Sequence, residues 1–165
     1  MSRQQPIELF MPPNMLKAKV GGGSHGAIDM AAVMRAEAAM ETLKAEFVDW
    51  FAADVKTLVE CRDVFAARKD ESSMAALGRA SVDIKGQATT YEFPLVSRVA
   101  ASLCRLINAM PSADALPIHL VDAHVAAIRI IFRDKIKDVT NQMALELLKE
   151  LDARVSEKIE PAAAA

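Results

Sequence analysis

The stretch from Ser81 to Tyr91, SVDIKGQATTY, lies in a segment whose apolar residues recur at alternating steps of three and four. This spacing puts them on one narrow face of a helix, which we expect to run from about Ser73 to Tyr91. Pro94 disfavours helical backbone at Phe93 and suits the first turn of the next helix. The residues of the predicted buried face are Met74, Leu77, Ser81, Ile84, Ala88 and Tyr91.

Helical spacing continues on both sides of this segment, and we find no strand candidate of useful length. The further helices are expected at about residues 29–43, 46–68, 94–110 and 117–137, and from 142 onward. Asp29, Asp70 or Ser72, and Asn141 are candidate N-terminal caps. Short joints between apolar-striped helices predict an all-α protein. We expect an up-down antiparallel four-helix bundle with an additional N-terminal helix and arm and a C-terminal helix.

The first two predicted helices each carry an apolar stripe that we expect to pack into the bundle. In this interpretation Trp50 and Tyr91 are core aromatic residues rather than groups that stack on a ligand. The inward residues expected on these helices are Met30, Val33, Ala36, Met40, Leu43, Phe47, Trp50, Phe51, Val55, Leu58, Cys61 and Phe65.

Length and composition favour one soluble helical domain. The chain has 165 residues, is 52% hydrophobic and 25% charged, and carries a formal net charge of -2, which gives no field for nucleic acid. No apolar run approaches a membrane span and no signal peptide is visible, so a cytoplasmic location is expected. Three parts are predicted: an irregular arm at 1–28, a single bundle domain at 29–160 and a disordered tail at 161–165.

One strip of the helix that contains Ser81–Tyr91 lies beside the buried seam and faces outward. Because successive helical residues are about 100° apart, residues next to the seam positions share this strip. It is accessible to a partner protein. Its members are Gly78, Val82, Lys85, Gly86 and Thr89.

The residues around this strip resemble the histidine phosphotransfer (HPt) family, whose phosphorylated helix carries His-x-x-Lys-Gly. Lys85-Gly86 matches the Lys-Gly of that motif, and the string continues through Gln87 to Phe93-Pro94-Leu95 as in one branch of the family. The resemblance covers residues 79–106. It implies an HPt-like bundle that docks the receiver domain of a response regulator, or a histidine kinase. It also implies that the lysine stabilises phosphoryl oxygens and that the glycine lets the receiver approach.

The chain departs from the family at the residue that would carry the phosphoryl group, because Val82 occupies the histidine position. A valine side chain has no atom that can accept a phosphoryl group. Ala88, Thr89 and Glu92 also occupy positions where the resemblance leads us to expect glycine. The resemblance therefore implies a pseudo-phosphotransfer module: it docks a phosphorelay partner, carries no phosphate and is not an enzyme.

Other functions stay open from the sequence. The chain could be a helical scaffold or dimerisation protein unrelated to phosphorelay, so a homodimer is compatible with the sequence. It could also transfer phosphate through His25, His119 or His124, although we expect the last two to be structural. No Cys/His spacing fits zinc, and no cofactor loop is evident, so neither metal nor cofactor is expected. Cys61 and Cys104 are expected to be small buried hydrophobic residues.

Overall fold

The computed structural model describes residues 29–163, except for the side chains of residues 44, 45 and 161–163. The described chain is all-helical, as the sequence predicts, and contains no strand. The elements in order are α1 (Met30–Arg68), α2 (Glu71–Gln87), α3 (Pro94–Ala109), a 3₁₀ turn (Ala113–Ala115), α4 (Ile118–Arg133) and α5 (Gln142–Ala163). The predicted arm at 1–28 lies outside the described residues.

The chain divides by its contacts into two units, Met1–Ala39 and Met40–Ala165. The described residues of the first unit are Asp29 and the first ten residues of α1, and Asp29 accepts a hydrogen bond from the backbone N–H of Ala31 at 3.0 Å. Asp29 is therefore an N-terminal cap, as expected from the sequence. The second unit holds the remaining helices and the core.

The region of α1 corrects two expectations. The sequence predicts separate helices at 29–43 and 46–68, but α1 is one continuous helix. The residues between the two predicted helices, Lys44-Ala45-Glu46, are all good helix formers, so nothing there ends the helix. The predicted core position Trp50 is also wrong, because this side chain is 52% exposed.

The first turns of α1 are more exposed than expected. Met30, Met40 and Leu43 are 64%, 58% and 43% exposed, whereas the sequence predicts all three on a packed face. The apolar spacing was a correct guide to which residues share a face. It gave no information on whether another element covers that face.

Helix α2 begins at Glu71 because Asp70 and Ser73 form a capping box. The Asp70 carboxylate accepts a hydrogen bond from the backbone N–H of Ser73 at 2.8 Å, and Ser73 Oγ lies 3.3 Å from the Asp70 N–H. The helix ends at Gln87, four residues before the predicted end at Tyr91. The intervening residues turn back so that α3 can begin at Pro94, as predicted.

Helices α4 and α5 also differ at their ends from the prediction. Helix α4 stops at Arg133 rather than Lys137, because Lys135 adopts a left-handed backbone conformation with a φ of 52°. Helix α5 begins just after Asn141, whose side chain caps the Ala144 N–H at 3.0 Å. It continues to Ala163, past the predicted end at 160, with Pro161 within its last turn.

The core of the second unit is an apolar cluster to which all five helices contribute. Helix α3 packs against α2, α4 and α5, and α5 also packs against α4. An aromatic group joins α1 to the others: the Phe51 ring centroid lies 5.1 Å from that of Tyr91, 5.5 Å from Phe93 and 5.2 Å from Phe132. The predicted seam of α2 is buried apart from its last member, Tyr91, which is half-buried.

Among the described helices, none combines the length and the apolar character needed to cross a membrane.

Candidate functional site

Helix α2 presents the predicted strip at the protein surface. Val82 is 51% exposed, Lys85, Gly86 and Thr89 are exposed, and Gly78 is half-buried. Gly78, Val82, Lys85 and Gly86 lie on α2, and Thr89 lies two residues after its end. The residues singled out from the sequence therefore lie together on one accessible side of the helix.

The packing of α2 fixes the direction in which this strip faces. Leu77, Ser81 and Ile84 are all 0% exposed, and Ser81 satisfies its buried hydroxyl by donating to the Leu77 carbonyl at 2.8 Å. A rotation of α2 that buried Val82 would bring core residues into water. The burial of large apolar side chains, about 1.5–3 kcal/mol each, therefore holds the strip outward.

A groove of about 320 Å³ lies beside Val82, between α2 and α3. Its apolar lining comes from Val82 and Ile107, and its polar lining includes Asn108. The full set of lining residues is Gly78, Arg79, Val82, Asp83, Cys104, Ile107 and Asn108. The groove gives the strip a concave side that a partner side chain can enter.

No packing contact among the described residues requires either glycine of the strip. A Cβ atom built on Gly86 would have no heavy atom within 4 Å, and one on Gly78 would meet Ile107 Cγ2 at an ordinary 3.6 Å. Neither glycine has the positive φ that would exclude a side chain. Each costs about 1 kcal/mol of helix stability relative to alanine. The contacts of the described residues do not account for this cost.

A hydrogen bond fixes the backbone of Lys85 and leaves its side chain free of that contact. Ser97, in the first turn of α3, donates a hydrogen bond from Oγ to the Lys85 carbonyl at 2.7 Å. The lysine side chain is exposed, and its positive charge acts on the nearby Cys104 thiol. Burial nevertheless raises the pKa of Cys104, with the Lys85 charge opposing that shift. Cys104 is a buried free thiol, as expected, whereas Cys61 is only half-buried.

Two carboxylates, Asp54 of α1 and Asp83 of α2, lie close enough to interact. Burial raises the pKa of the Asp54 carboxyl, and the charge of Asp83 raises it further. Asp83 follows Val82 directly and lines the same groove. The strip thus presents a lysine three residues after Val82 and has a carboxylate directly beside the valine.

Three positions near the end of α2 are those where the HPt resemblance leads us to expect glycine. Ala88 has ordinary right-handed helical backbone and is fully buried. Glu92 has a φ of 66°, in the left-handed region that favours glycine. The backbone conformation at position 92 would therefore suit glycine. The residue present is Glu92, whose carboxylate forms an ion pair with the Lys137 ammonium group at 2.6 Å.

Neither of the two described histidines, His119 and His124, belongs to this strip. His124 is 0% exposed, and its Nδ1 donates to the Leu120 carbonyl at 2.7 Å. Burial lowers the pKa of His124, which keeps the ring neutral. His119 is exposed on α4, and His25 lies outside the described residues.

No three His, Cys, Asp or Glu side chains in the described part of the chain form a group that could hold a metal ion.

The contribution of α3 to this site was missed from the sequence. Ile107 and Asn108 line the groove, and Ser97 fixes the Lys85 backbone. The apolar stripe of α3 was recognised, but periodicity alone does not show which residues of two helices meet.

Comparisons with protein-family models, with curated proteins and with solved structures find no match to this chain.

Proposed function

We propose that the chain is an HPt-like module of a phosphorelay that docks a receiver domain or a histidine kinase without accepting phosphate. The observation that carries this proposal is the side-by-side exposure of Val82, Lys85 and Gly86 on α2. It is supported by two helix glycines that no contact among the described residues requires. We further assign the helices to an up-down antiparallel four-helix bundle with additional helical segments at both ends.

The chemistry of the strip suits docking without transfer. Val82 supplies apolar surface at the position where the resemblance implies an imidazole, and burying a valine contributes about 1.5 kcal/mol or more. Lys85 supplies a positive charge for the acidic phosphorylation pocket that the resemblance implies in the partner. Gly86 leaves room for the partner backbone next to that charge.

Phosphotransfer through another histidine has less support. His124 is fully buried, so a receiver domain has no access to its ring. His119 is exposed, but the residues three and four positions after it are Asp122 and Ala123 rather than a Lys-Gly pair. A scaffold or dimerisation role has a separate observation in its favour, the exposed apolar residues of α1.

Calorimetric titration with a panel of receiver domains from the same genome tests the proposal. The natural chain should bind at least one receiver, and Lys85→Glu should weaken that binding about tenfold or more. Lys149→Glu, at an exposed lysine of α5, is the matched control and should not change the affinity. Val82→His should bind as well, and in a phosphotransfer assay it should gain a phosphoryl group that the natural chain never takes up.

Two results would contradict the proposal. Binding that Lys85→Glu and Lys149→Glu weaken equally would place the receiver elsewhere on the surface. Absence of binding to every receiver and kinase, together with no phosphorylation of Val82→His, would leave only the scaffold role.

A further inference from the structure

Two cations flank Val82 on α2, one nearly a turn before it and one nearly a turn after it. Arg79 and Lys85 each lie three residues from Val82, which places them about 60° from it around the helix in opposite directions. Both side chains are exposed, and Val82 between them is 51% exposed. An accessible apolar residue therefore has a positively charged residue on each side.

Neither cation is neutralised within the described part of the chain. Most of the described arginines form ion pairs with carboxylates, as Arg105 does with Asp152 at 3.0 Å. In contrast, the side chains of Arg79 and Lys85 form no ion pair with a described residue and donate no hydrogen bond to one. Their charges are therefore available to an anion from another molecule.

One carboxylate, that of Asp83, lines the groove beside Val82 together with Arg79. Lys85 does not line this groove and lies about 160° around the helix from Asp83. Arg79 balances the charge of Asp83 within the groove, and Lys85 adds to it. The surface around Val82 therefore has a net positive charge, although the whole chain has a formal net charge of -2.

Helix α3, the other wall of the groove, strengthens this positive character. Its sequence contains no acidic residue. Arg98 is exposed and directly follows Ser97, whose Oγ bonds to the Lys85 carbonyl at 2.7 Å. Arg98 also has no ion-pair partner among the described residues. Two helices thus bring cations to the same surface.

Two glycines leave space on the helix between these cations. Gly78 and Gly86 each lie four residues from Val82, about 40° from it in opposite directions. A Cβ atom on Gly86 would meet no heavy atom within 4 Å, and the groove beside Val82 holds about 320 Å³. A group of the size of a phosphate therefore has room to approach α2 next to Val82.

We propose that this surface recognises the phosphoryl group of a phosphorylated receiver domain, so that the chain binds this form more tightly than the free receiver. The inference rests on the proposed docking function. A phosphoryl group adds up to about two negative charges and three acceptor oxygens, which suit cations held on either side of it. A guanidinium group such as that of Arg79 can bind two of these oxygens at once.

Val82 determines what happens to the bound phosphoryl group. Its side chain has no atom that can attack phosphorus, so the group stays on the aspartate of the receiver. The charge that the cations recognise therefore persists for as long as the receiver is phosphorylated. The chain would hold the phosphorylated receiver, whereas a phosphotransfer protein would discharge it.

Calorimetry with one receiver in two states tests this inference. The probe is the receiver domain that binds most tightly in the panel, measured with Mg²⁺ alone and with Mg²⁺ and beryllofluoride, which mimics the phosphoryl group. The beryllofluoride form should bind about tenfold more tightly. This ratio of affinities should fall as salt is added, because the cations are exposed.

Substitutions at two unpaired arginines locate the effect. Arg79→Gln should reduce the ratio of affinities about fivefold, because it removes one of the cations beside Val82. Arg129→Gln is the matched control and should leave the ratio unchanged, since Arg129 is exposed on α4 and likewise has no ion-pair partner among the described residues. Thermal unfolding of both variants should match that of the natural chain.

Three outcomes would overturn the inference. Equal affinity for the two states of a receiver that binds would remove it and leave the proposed docking function intact. An equal fall of the ratio in Arg79→Gln and Arg129→Gln would show that the preference comes from the charge of the whole chain. Absence of binding to every receiver in either state would remove the docking function and this inference with it.

Discussion

Ser97 Oγ donates a 2.7 Å hydrogen bond to the Lys85 carbonyl oxygen, and this bond joins the first turn of α3 to the last turn of α2. The last carbonyls of a helix have no partner within it, so the serine satisfies a group that would otherwise need water. The bond also fixes the backbone one turn after Val82. The proposed docking strip is therefore positioned by a neighbouring helix as well as by its own.

The first prediction concerns this bond. Ser97→Ala should lower the free energy of unfolding by about 1 kcal/mol, because one hydrogen bond is lost. It should weaken receiver binding less than Lys85→Glu does, since the lysine side chain is retained. Urea denaturation and calorimetry measure the two effects. Ser156→Ala, at an exposed serine of α5, is the control; equal losses in both variants would show that the bond has no special role.

The second prediction separates stability from binding at Gly86. Since a Cβ at this position meets no heavy atom within 4 Å, Gly86→Ala should raise the free energy of unfolding by up to about 1 kcal/mol. The same methyl group should weaken receiver binding, because it occupies the space that a partner needs. Denaturation and calorimetry of the same variant test both statements.

Gly78→Ala is the internal comparison for Gly86→Ala. Its Cβ would make only an ordinary 3.6 Å contact with Ile107 Cγ2, so it should stabilise the protein as well. A Gly86→Ala variant that is more stable and binds its receiver with unchanged affinity would remove the close-approach argument for this glycine.

Much of the fold follows from the sequence because one physical rule, the spacing of apolar residues, governs it. The seam of α2 from Met74 to Ala88 is buried as predicted, and Pro94 begins α3. The same rule failed at Trp50 and Met40, which share a face with core residues but are exposed. Periodicity identifies the face of a helix, whereas burial depends on which elements lie opposite.

The candidate site was predicted less completely than the fold. Val82, Lys85 and Gly86 share an exposed strip, as helix geometry requires of residues at these spacings. Ile107 and Ser97 complete the site from a second helix, and their contribution depends on the relative height and rotation of α2 and α3. A single sequence carries no direct signal for that register.

The third prediction concerns the pH dependence of stability at His124. Burial lowers the pKa of this histidine below its ordinary value, while the Leu120 hydrogen bond and the charge of Asp152 oppose the shift and that of Arg105 adds to it. Its Nε2 atom is buried and has no hydrogen-bond partner in the part of the chain that the structure describes. As pH falls below about 6.5, the unfolded chain takes up a proton that the folded chain resists. Stability should therefore fall with pH in this range, by at most about 1.4 kcal/mol per unit from this group.

Urea denaturation at pH 7.5, 6.5 and 5.5 measures this dependence. His124→Leu should flatten the loss of stability between pH 6.5 and 5.5. His119→Leu, at an exposed histidine of the same helix, is the matched control. If His124→Leu keeps the full pH dependence of the natural chain, the loss comes from other groups and the assignment to His124 is wrong.

The fourth prediction uses the backbone after α4. Lys135 has a φ of 52°, and two hydrogen bonds close the helix around it, from the Ile136 N–H to the Ile131 carbonyl at 2.9 Å and from the Lys135 N–H to the Phe132 carbonyl at 3.1 Å. This is the position at which helices favour glycine, because a side chain there costs about 1 kcal/mol. Lys135→Gly should therefore raise the free energy of unfolding by about that amount. Lys149→Gly, within α5, should lower it by about 1 kcal/mol instead, since glycine is unfavourable inside a helix. Opposite signs in thermal or urea unfolding would establish that the left-handed backbone at Lys135 ends α4, and equal destabilisation would contradict it.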